Sequence, residues 1–398
     1  MLDIQAKRMP AYDVIVVGGG VSGVAAAVAA ARNGAKTLLM EKTVTLGGLA
    51  TQGLISWYEP LCDGEGKQMI RGIAEELIRL SVKYSFEDMP AEWGGDGRFP
   101  RPNFHRYATH YSPYIFALAL INYLEENGVA LRFDTLATYP DVEDGVCRGI
   151  LVETVGGREY FPANMVVDAT GDATVCDRAG IPTEYGNNFF TYLTHEMTMD
   201  DAQKLAQNGD FCTARRWNNV GSDLEGNGNI GGKIIQVRTA DDVTEYMVRG
   251  GKVALAHLAK KDRFSREVLS APTMPQFRKI RRIIGESEFD GTEHDRSVDN
   301  AVGAMGDFRK SGRRFELPYT TLYNRSVGNL FAAGRIISAK GDGWEITRVI
   351  PVAALSGEAA GTAAALCVAQ KCTNHELNVS LLQKALADAG NRIHLSDA

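Results

Sequence analysis

The sequence predicts an α/β fold. A parallel sheet carries a helical layer, and an α+β domain is inserted between its pieces. Three stretches carry that prediction. "YDVIVVGGGVSGVAAAVAAARNGAKTLLMEK", Tyr12 to Lys42, reads as strand, glycine turn, helix and strand. "MVVDATG", ending at Gly171, reads as a second buried strand that closes a β-rich stretch. "NLFAAGR", ending at Arg335, reads as a third, and a long helix of small residues follows from about Pro351.

The first stretch decides the most. Its uncharged run from Val14 to Ala31 has the length of a membrane span, but consecutive glycines break it. "DVIVV" is short and β-branched, as buried strands are. The alanines that follow are the best helix formers, and Gly34 is placed to end the helix. The result is a βαβ unit with glycines at 18, 20 and 23, the G-x-G-x-x-G spacing. Gly18 allows the tight turn. Gly20 lets a pyrophosphate approach the backbone, with the neighbouring Val21 and Ser22. Gly23 lets helix and strand pack closely. Glu41, followed by Lys42, ends the second strand, where a carboxylate accepts hydrogen bonds from a ribose diol and repels a 2′-phosphate. FAD or NAD fits there and NADP does not. A second match at Gly226, Gly228 and Gly231 lacks a preceding strand and reads as a loop or hairpin turn.

The bulk properties narrow the class. At 398 residues the chain is too long for one compact core. Its net charge of −6 lacks the basic footprint of a nucleic-acid binder. None of the six cysteines forms a Cys-x-x-Cys pair, which argues against a zinc ribbon, a redox dithiol or an iron–sulfur run. No Walker loop, Gly-x-Ser-x-Gly elbow or His-Glu-x-x-His occurs. Reduced thiols and a start without an apolar h-region predict a cytoplasmic protein with no membrane span and no metal.

Beyond Glu41 comes "TLGGLATQG". With the two later stretches it resembles the FAD-dependent oxidoreductases of the fumarate reductase and glycine oxidase type, including poorly characterised bacterial members. The resemblance touches about half the chain, in the expected order. It implies a Rossmann-like FAD-binding domain holding non-covalent FAD, built from residues 1–55, 115–189 and 320–398. Residues 56–114 and 190–319 then form the substrate or cap domain. It implies that Gly47, Gly48, Ala50 and Thr51 run along the pyrophosphate to the flavin, with Gln52 at the flavin edge. Ala169, Thr170, Gly171 and Asp172, after Asp168, close over the adenine end, and the Leu136 backbone meets the adenine. Gly334 reaches the ribityl chain, and the helix starting at Pro351, Val352 and Ala353 points at the flavin. In one departure, the usual Gly-Asp is Gly334-Arg335, and arginine accepts no hydrogen bonds. Asp342 or a backbone group is then expected to serve the ribityl hydroxyls.

The expected activity is hydride transfer between FAD N5 and a small organic substrate, with anionic substrates among the candidates. The alternative is an electron-transfer subunit of a multi-chain complex. Three residues are candidates for the chemistry. Arg348 precedes the flavin-facing helix, where it either clamps an anion or forms a salt bridge to Glu345 or Glu41. Glu345 and His195 are candidate proton acceptors, His195 in a strand of the second domain. The basic cluster Arg278, Lys279, Arg281 and Arg282 reads as a solvated helix face.

Overall fold

The computed structural model describes residues 5–96, 105–209, 211, 215–222 and 234–397. The second glycine match, at Gly226, Gly228 and Gly231, lies outside the described residues. The elements used below begin with β1 (Tyr12–Val17), α1 (Val21–Arg32), β2 (Thr37–Met40), α2 (Ile73–Lys83), α3 (Pro113–Glu126) and β3 (Ala130–Arg132). A meander follows, β4 (Leu136–Glu143), β5 (Val146–Thr154) and β6 (Gly157–Asp168). Next come β7 (Leu193–Thr198), β8 (Arg216–Asn219), α4 (Ala240–Leu258) and β9 (Arg266–Ser270). The chain closes with β10 (Leu330–Ala332), α5 (Gly341–Thr347) and α6 (Ile350–Gln370).

The parallel sheet runs β3-β2-β1-β6-β10. The apolar residues Val14 to Val16 of β1 are wholly buried, as a central parallel strand covered on both faces must be. The long strand β6 serves two sheets. Its first half pairs antiparallel with β5, and its second half lies between β1 and β10. The turns of the meander fall at Asp144-Gly145 and Gly156-Gly157, with Gly145 and Gly157 in the left-handed region.

Against this sheet α1 and α6 pack side by side at unusually short range. A Cβ added at Gly357 would sit 2.2 Å from the Ser22 carbonyl oxygen, and one at Gly361 would sit 2.0 Å from that of Ala26. Helix α6 is long and apolar enough to cross a membrane, with mean hydropathy 1.5, but 78% of its apolar window is buried within the protein. It is a core helix.

One large buried cluster joins the parallel sheet, α1 and α6 with side chains of 58–124 and 283–339, including Tyr58, Leu77, Tyr111, Ile283 and Tyr319. Much of the expected second domain thus shares its core with the first. A separate small cluster of Phe190, Tyr192, Val237, Tyr246 and Phe277 sits by the antiparallel sheet β8-β7-β9 and α4.

The basic cluster corrects the sequence reading. Arg281 and Arg282 lie in a short strand, Arg281–Ile283, that pairs with Thr183–Tyr185. Arg282 is only 1% exposed and is held by Glu184 and Glu288. Four charges in five residues suggested a helix in water; Glu345, Asp177 and Glu184, all distant in sequence, pair with Lys279, Arg281 and Arg282 instead, and Arg278 donates to Thr191 Oγ1.

The α1–α6 contact predicts a contrast between two helical glycines. Gly361→Ala drives a Cβ into backbone that cannot yield, at a cost of about 1–3 kcal/mol. Gly251, inside α4, has nothing within 4 Å of an added Cβ. Gly251→Ala should be neutral or stabilising by about 0.5–1 kcal/mol. Urea midpoints of the two variants check this, and equal midpoints would remove the helix contact as a constraint.

Candidate functional site

The G-x-G-x-x-G turn is built by backbone contacts. Gly18 stands at φ 105°, and a Cβ there would lie 2.5 Å from the Ala169 carbonyl oxygen. A Cβ on Gly23 would lie 1.8 Å from the Gly18 carbonyl oxygen. At Gly20, by contrast, a Cβ would meet nothing within 4 Å. No protein neighbour requires that glycine; its missing side chain leaves space in a cleft.

The second glycine pair closes on the first. The Gly47 N–H donates to the Gly19 carbonyl at 2.8 Å, and Gly20 and Gly47 form a parallel bridge. Gly47 and Gly48 both adopt positive φ, and a Cβ on Gly48 would sit 3.3 Å from Gly20 Cα. Glu41 ties the two turns together. Its Oε2 accepts from Gly19 N at 2.7 Å, and its Oε1 accepts from Thr43 N and Thr43 Oγ1 at 2.8 Å each. With Oε1 taken by two donors and Oε2 by one, Oε2 keeps acceptor capacity for a further donor.

The turns wall a cleft of about 390 Å³. Of the predicted residues, Gly18, Gly20, Val21, Ser22, Glu41, Lys42, Gly47, Gly48, Ala50, Leu136, Ala169, Thr170, Gly171, Asp172, Arg335, Arg348 and Ala353 line it. The N-terminal turns of α1 and α6 both open there, so two helix dipoles present their positive ends to one space. The opposite wall was not foreseen. Thr273, Met274, Pro275, Phe277 and Ile280, with Val237 and Val243, supply it. The only sequence signal was position: "TMPQFRKI" lies between the cofactor-like stretches.

Several predicted residues stand behind the lining. Gly23 packs helix on strand. The Thr51 hydroxyl bonds to the Leu46 carbonyl, and Gln52 Nε2 donates to Thr43 Oγ1 at 3.0 Å and Thr45 O at 2.9 Å. Both side chains shape the loop rather than reach forward from it, although Gln52 still borders the cleft. Gly334, at φ 80°, abuts Ser22 Oγ, and Pro351 and Val352 are buried. Asp168 brackets the Thr170 turn, accepting from Thr170 N at 3.0 Å, Thr170 Oγ1 at 2.6 Å and Cys176 N at 2.9 Å. Burial pushes its carboxyl up, against the pull of those bonds.

Arg335 departs furthest from expectation. Its Nε donates to the Gly171 carbonyl at 2.6 Å and its Nη1 to that of Phe277, so it joins the two walls. Among the described residues it has no carboxylate within salt-bridge distance. Burial lowers its guanidinium to about 10; Asp172 opposes this and Arg348 adds to it. The expected substitute, Asp342, is spoken for by Arg309 and Lys310 outside the lining.

Arg348 forms the salt bridge to Glu345, Nε to Oε2 at 2.7 Å, and still borders the cleft. Lys279 Nζ holds the other Glu345 oxygen at 2.6 Å. Burial alone would raise the Glu345 carboxyl, but Arg348 and Lys279 hold it below the usual carboxylate range. A carboxylate fixed between two cations is a poor proton acceptor, which corrects that assignment. His195 lies in β7 as expected, wholly buried and outside the lining, with neither ring nitrogen in a hydrogen bond of full geometry and only a marginal one to the Leu54 backbone. Burial first, then Arg215 and His110, lower its imidazole to about 4, against a raising contact from the Leu54 backbone.

Comparison with known proteins identifies the family. The model of the FAD dependent oxidoreductase family matches residues 13–253 and 293–386. The chain belongs to that family. It is an FAD-dependent oxidoreductase, and its cofactor is FAD. It is also 29% identical over 170 residues to the tRNA uridine 5-carboxymethylaminomethyl modification enzyme MnmG of Bacillus velezensis. That match takes in 40% of this chain and only 24% of the relative's length. Among solved structures, a geranylgeranyl bacteriochlorophyll reductase-like protein of Thermoplasma acidophilum aligns over 98% of this chain and 94% of its own, at 13% identity and TM-score 0.47. The myxobacterial chondrochloren halogenase CndH aligns over 95% and 78%, at 16% identity and TM-score 0.49. At scores below 0.5 these likenesses add nothing to the family assignment.

Two predictions come from this geometry. Glu41→Gln is not conservative, because an amide accepts at one end only and turns its NH₂ toward a backbone N–H at the other. Losing a bond to a charged group costs about 1.5–3 kcal/mol, visible as a lower urea midpoint. A Gln variant as stable as the parent would mean the carboxylate is not held at both ends. The second concerns acid. His195 titrates near 6.5 when unfolded and about 4 when folded, so unfolding takes up a proton between those values. The stability its neutral form contributes is complete above pH 6.5 and lost as pH falls toward 4. His195→Phe should therefore lose less melting temperature than the parent between neutral and mildly acid pH. Parallel slopes would place the acid sensitivity elsewhere.

Proposed function

We propose that the cleft holds FAD and that the enzyme moves a hydride between it and a carbon of a small organic substrate. The observation that carries this reading is convergence: two glycine turns, two helix N-termini and Glu41 meet around one open space. FAD, once bound, supplies the hydride-accepting or hydride-donating centre.

The chain's own residues divide the work. Gly20, Val21 and Ser22 offer backbone N–H groups and the α1 dipole to the pyrophosphate, while Gly18, whose own N–H is held by the Met40 carbonyl, makes the turn. Glu41 accepts from the adenosine ribose with the remaining lone pair of Oε2. Leu136 and the Ala169–Asp172 turn lie toward the adenine, while Gly47, Gly48 and Ala50 run toward the flavin. Arg348, with the α6 turn of Pro351, Val352 and Ala353, supports the edge that gains negative charge on reduction. The wall of Met274, Pro275, Phe277 and Ile280 excludes water. Arg335 is a positioning residue: it fixes that wall to the Gly171 turn, and its charge favours an anionic group in the cleft.

Purification tests the reading directly. The protein should be yellow, and acid should release FAD rather than FMN; colourless protein, or FMN, would overturn it. Arg348→Lys keeps a charge but loses the planar fork. It should retain FAD while flavin reduction slows by about 30- to 1,000-fold, equivalent to on the order of 2–4 kcal/mol. Reduction by dithionite-free photochemistry and the flavin potential are measured beside the melting temperature. A lower melting temperature with normal reduction and potential would assign Arg348 to the Glu345 pair alone.

A further inference from the structure

We propose that the face of the β8-β7-β9 sheet bearing Trp217, His195 and Ser270 binds the neutral hydroxyl or carbonyl group of an aromatic substrate. The proposal rests on the FAD reading above and names a substrate class for it. The three residues form one row. His195 pairs with Trp217 on β8 and with Ser270 on β9, and cross-strand partners share a face. The row meets the strand pair that carries Trp57 and His110. Ring centroids are 4.3 Å apart for Trp57 and His110, 5.4 Å for His110 and Trp217, and 6.4 Å for Trp217 and His195.

Polar groups within this aromatic shell are left unpaired. His195 is wholly buried, and neither Nδ1 nor Nε2 makes a hydrogen bond of full geometry, the Leu54 backbone supplying only a marginal one. The buried hydroxyls of Ser270 and Ser56 also lack one. Buried polar atoms are nearly always paired, because an orphan keeps its desolvation cost without return. A neutral imidazole offers one donor and one acceptor, and each serine hydroxyl can do either. That set matches a hydroxyl or carbonyl oxygen.

The local charges select against ions. Arg215 is taken by the Glu87 carboxylate and the Tyr111 carbonyl, and Glu87 in turn is used by Arg215. His110 Nδ1 lies 3.3 Å from the Ser56 carbonyl. Burial and Arg215 keep His195 uncharged at neutral pH. Among the described residues the neighbouring charges are already paired, so a carboxylate or an ammonium would have to compete with the Arg215–Glu87 pair.

The row adjoins the cleft. The Leu54 backbone touches His195, and Gln52, two residues earlier, borders the cleft. Thr273, three residues beyond Ser270, also borders it and donates from its N–H to Gln52 O at 3.1 Å. Leu54 itself stands at φ 58°, a left-handed conformation that costs a leucine energy. Strain and orphaned polar atoms thus coincide on the segment that separates this row from the cleft.

The test uses the FAD-loaded protein with ¹⁵N-labelled histidine, titrated with benzyl alcohol and separately with benzoate. The His195 signals are those missing from His195→Phe. Benzyl alcohol should shift them saturably and change tryptophan fluorescence, and benzoate should do neither. His195→Phe should keep its FAD, lose the fluorescence response, and melt at or above the parent temperature at neutral pH, because an apolar ring replaces an unpaired polar one. Unmoved His195 signals, an equal response to benzoate, or a His195→Phe variant that melts several degrees lower would each overturn the site. FAD content is measured first: protein without FAD removes both readings, whereas loaded protein with silent His195 removes only this one.

Discussion

The carboxylate of Glu41 is the constraint on which the rest of the cleft depends. Its two oxygens accept from Gly19 on one side and Thr43 on the other. Those donors belong to segments that otherwise share only backbone contacts. Charge-assisted bonds to backbone N–H groups are among the stronger ones available to a protein. Here they fix the end of β2 against the first glycine turn. The loop that leaves Thr43 is then obliged to return, and it does so by docking Gly47 on Gly19. Thr51 and Gln52 complete the loop by bonding within it. A residue expected to recognise ribose therefore has a prior structural duty, and a lone pair of Oε2 remains for the recognition.

The helices impose a second constraint. Helix α6 can bring its N-terminus beside that of α1 only if the two backbones nearly touch. Gly357 and Gly361 permit this against Ser22 and Ala26. The small-residue pattern of α6 is thus a packing device with an electrostatic result. Two partial positive charges end at one cleft, near two guanidinium groups. Arg348 and Arg335 add to that field differently. Arg348 is neutralised in part by Glu345, while Arg335 meets only carbonyl oxygens at hydrogen-bond range. A buried guanidinium without a carboxylate is costly unless an anion arrives, which is why an anionic cofactor suits this space.

What the sequence made legible follows from range. The βαβ unit, the meander turns and α6 were readable because local periodicity, glycine placement and β-branched runs encode them within a few residues of each other. Arg282 and Glu184, 98 residues apart, or Cys147 and Asn329, 182 apart, are paired by the fold alone. The basic cluster misled for this reason: one strand of charges looks solvated until Glu184 and Glu288 are known to cover it. Arg335 was visible as a departure from Gly-Asp, but its partners, Gly171 and Phe277, lie 164 and 58 residues away. The wall from Thr273 to Ile280 carries no glycine signature, and its one pattern, the basic cluster that begins at Arg278, reads as a solvated face, so nothing local marks it as part of a site.

Arg335 also explains how the two walls keep their spacing. A short polar residue at 335 would end at the cleft, but arginine spans it, bonding to Gly171 on the sheet side and Phe277 on the other. Phe277 packs in the small second cluster with Tyr246 and Phe190, and Trp344 Nε1 donates to the Arg335 carbonyl at 2.7 Å. Gln276 repeats the device one residue away. Its Nε2 donates to Gly53 O at 2.6 Å, and its Oε1 accepts from Leu193 N at 2.7 Å. Gln276 and Phe277 therefore connect β7, the glycine loop and the Gly171 turn. Burial favours these bonds, because breaking them leaves carbonyls and an amide dry and unpaired. The unpaired groups of His195 and Ser270 stand against that background. Beside a segment whose Gln276 amide and Phe277 carbonyl are paired in this way, those orphans mark a place that the chain by itself does not complete.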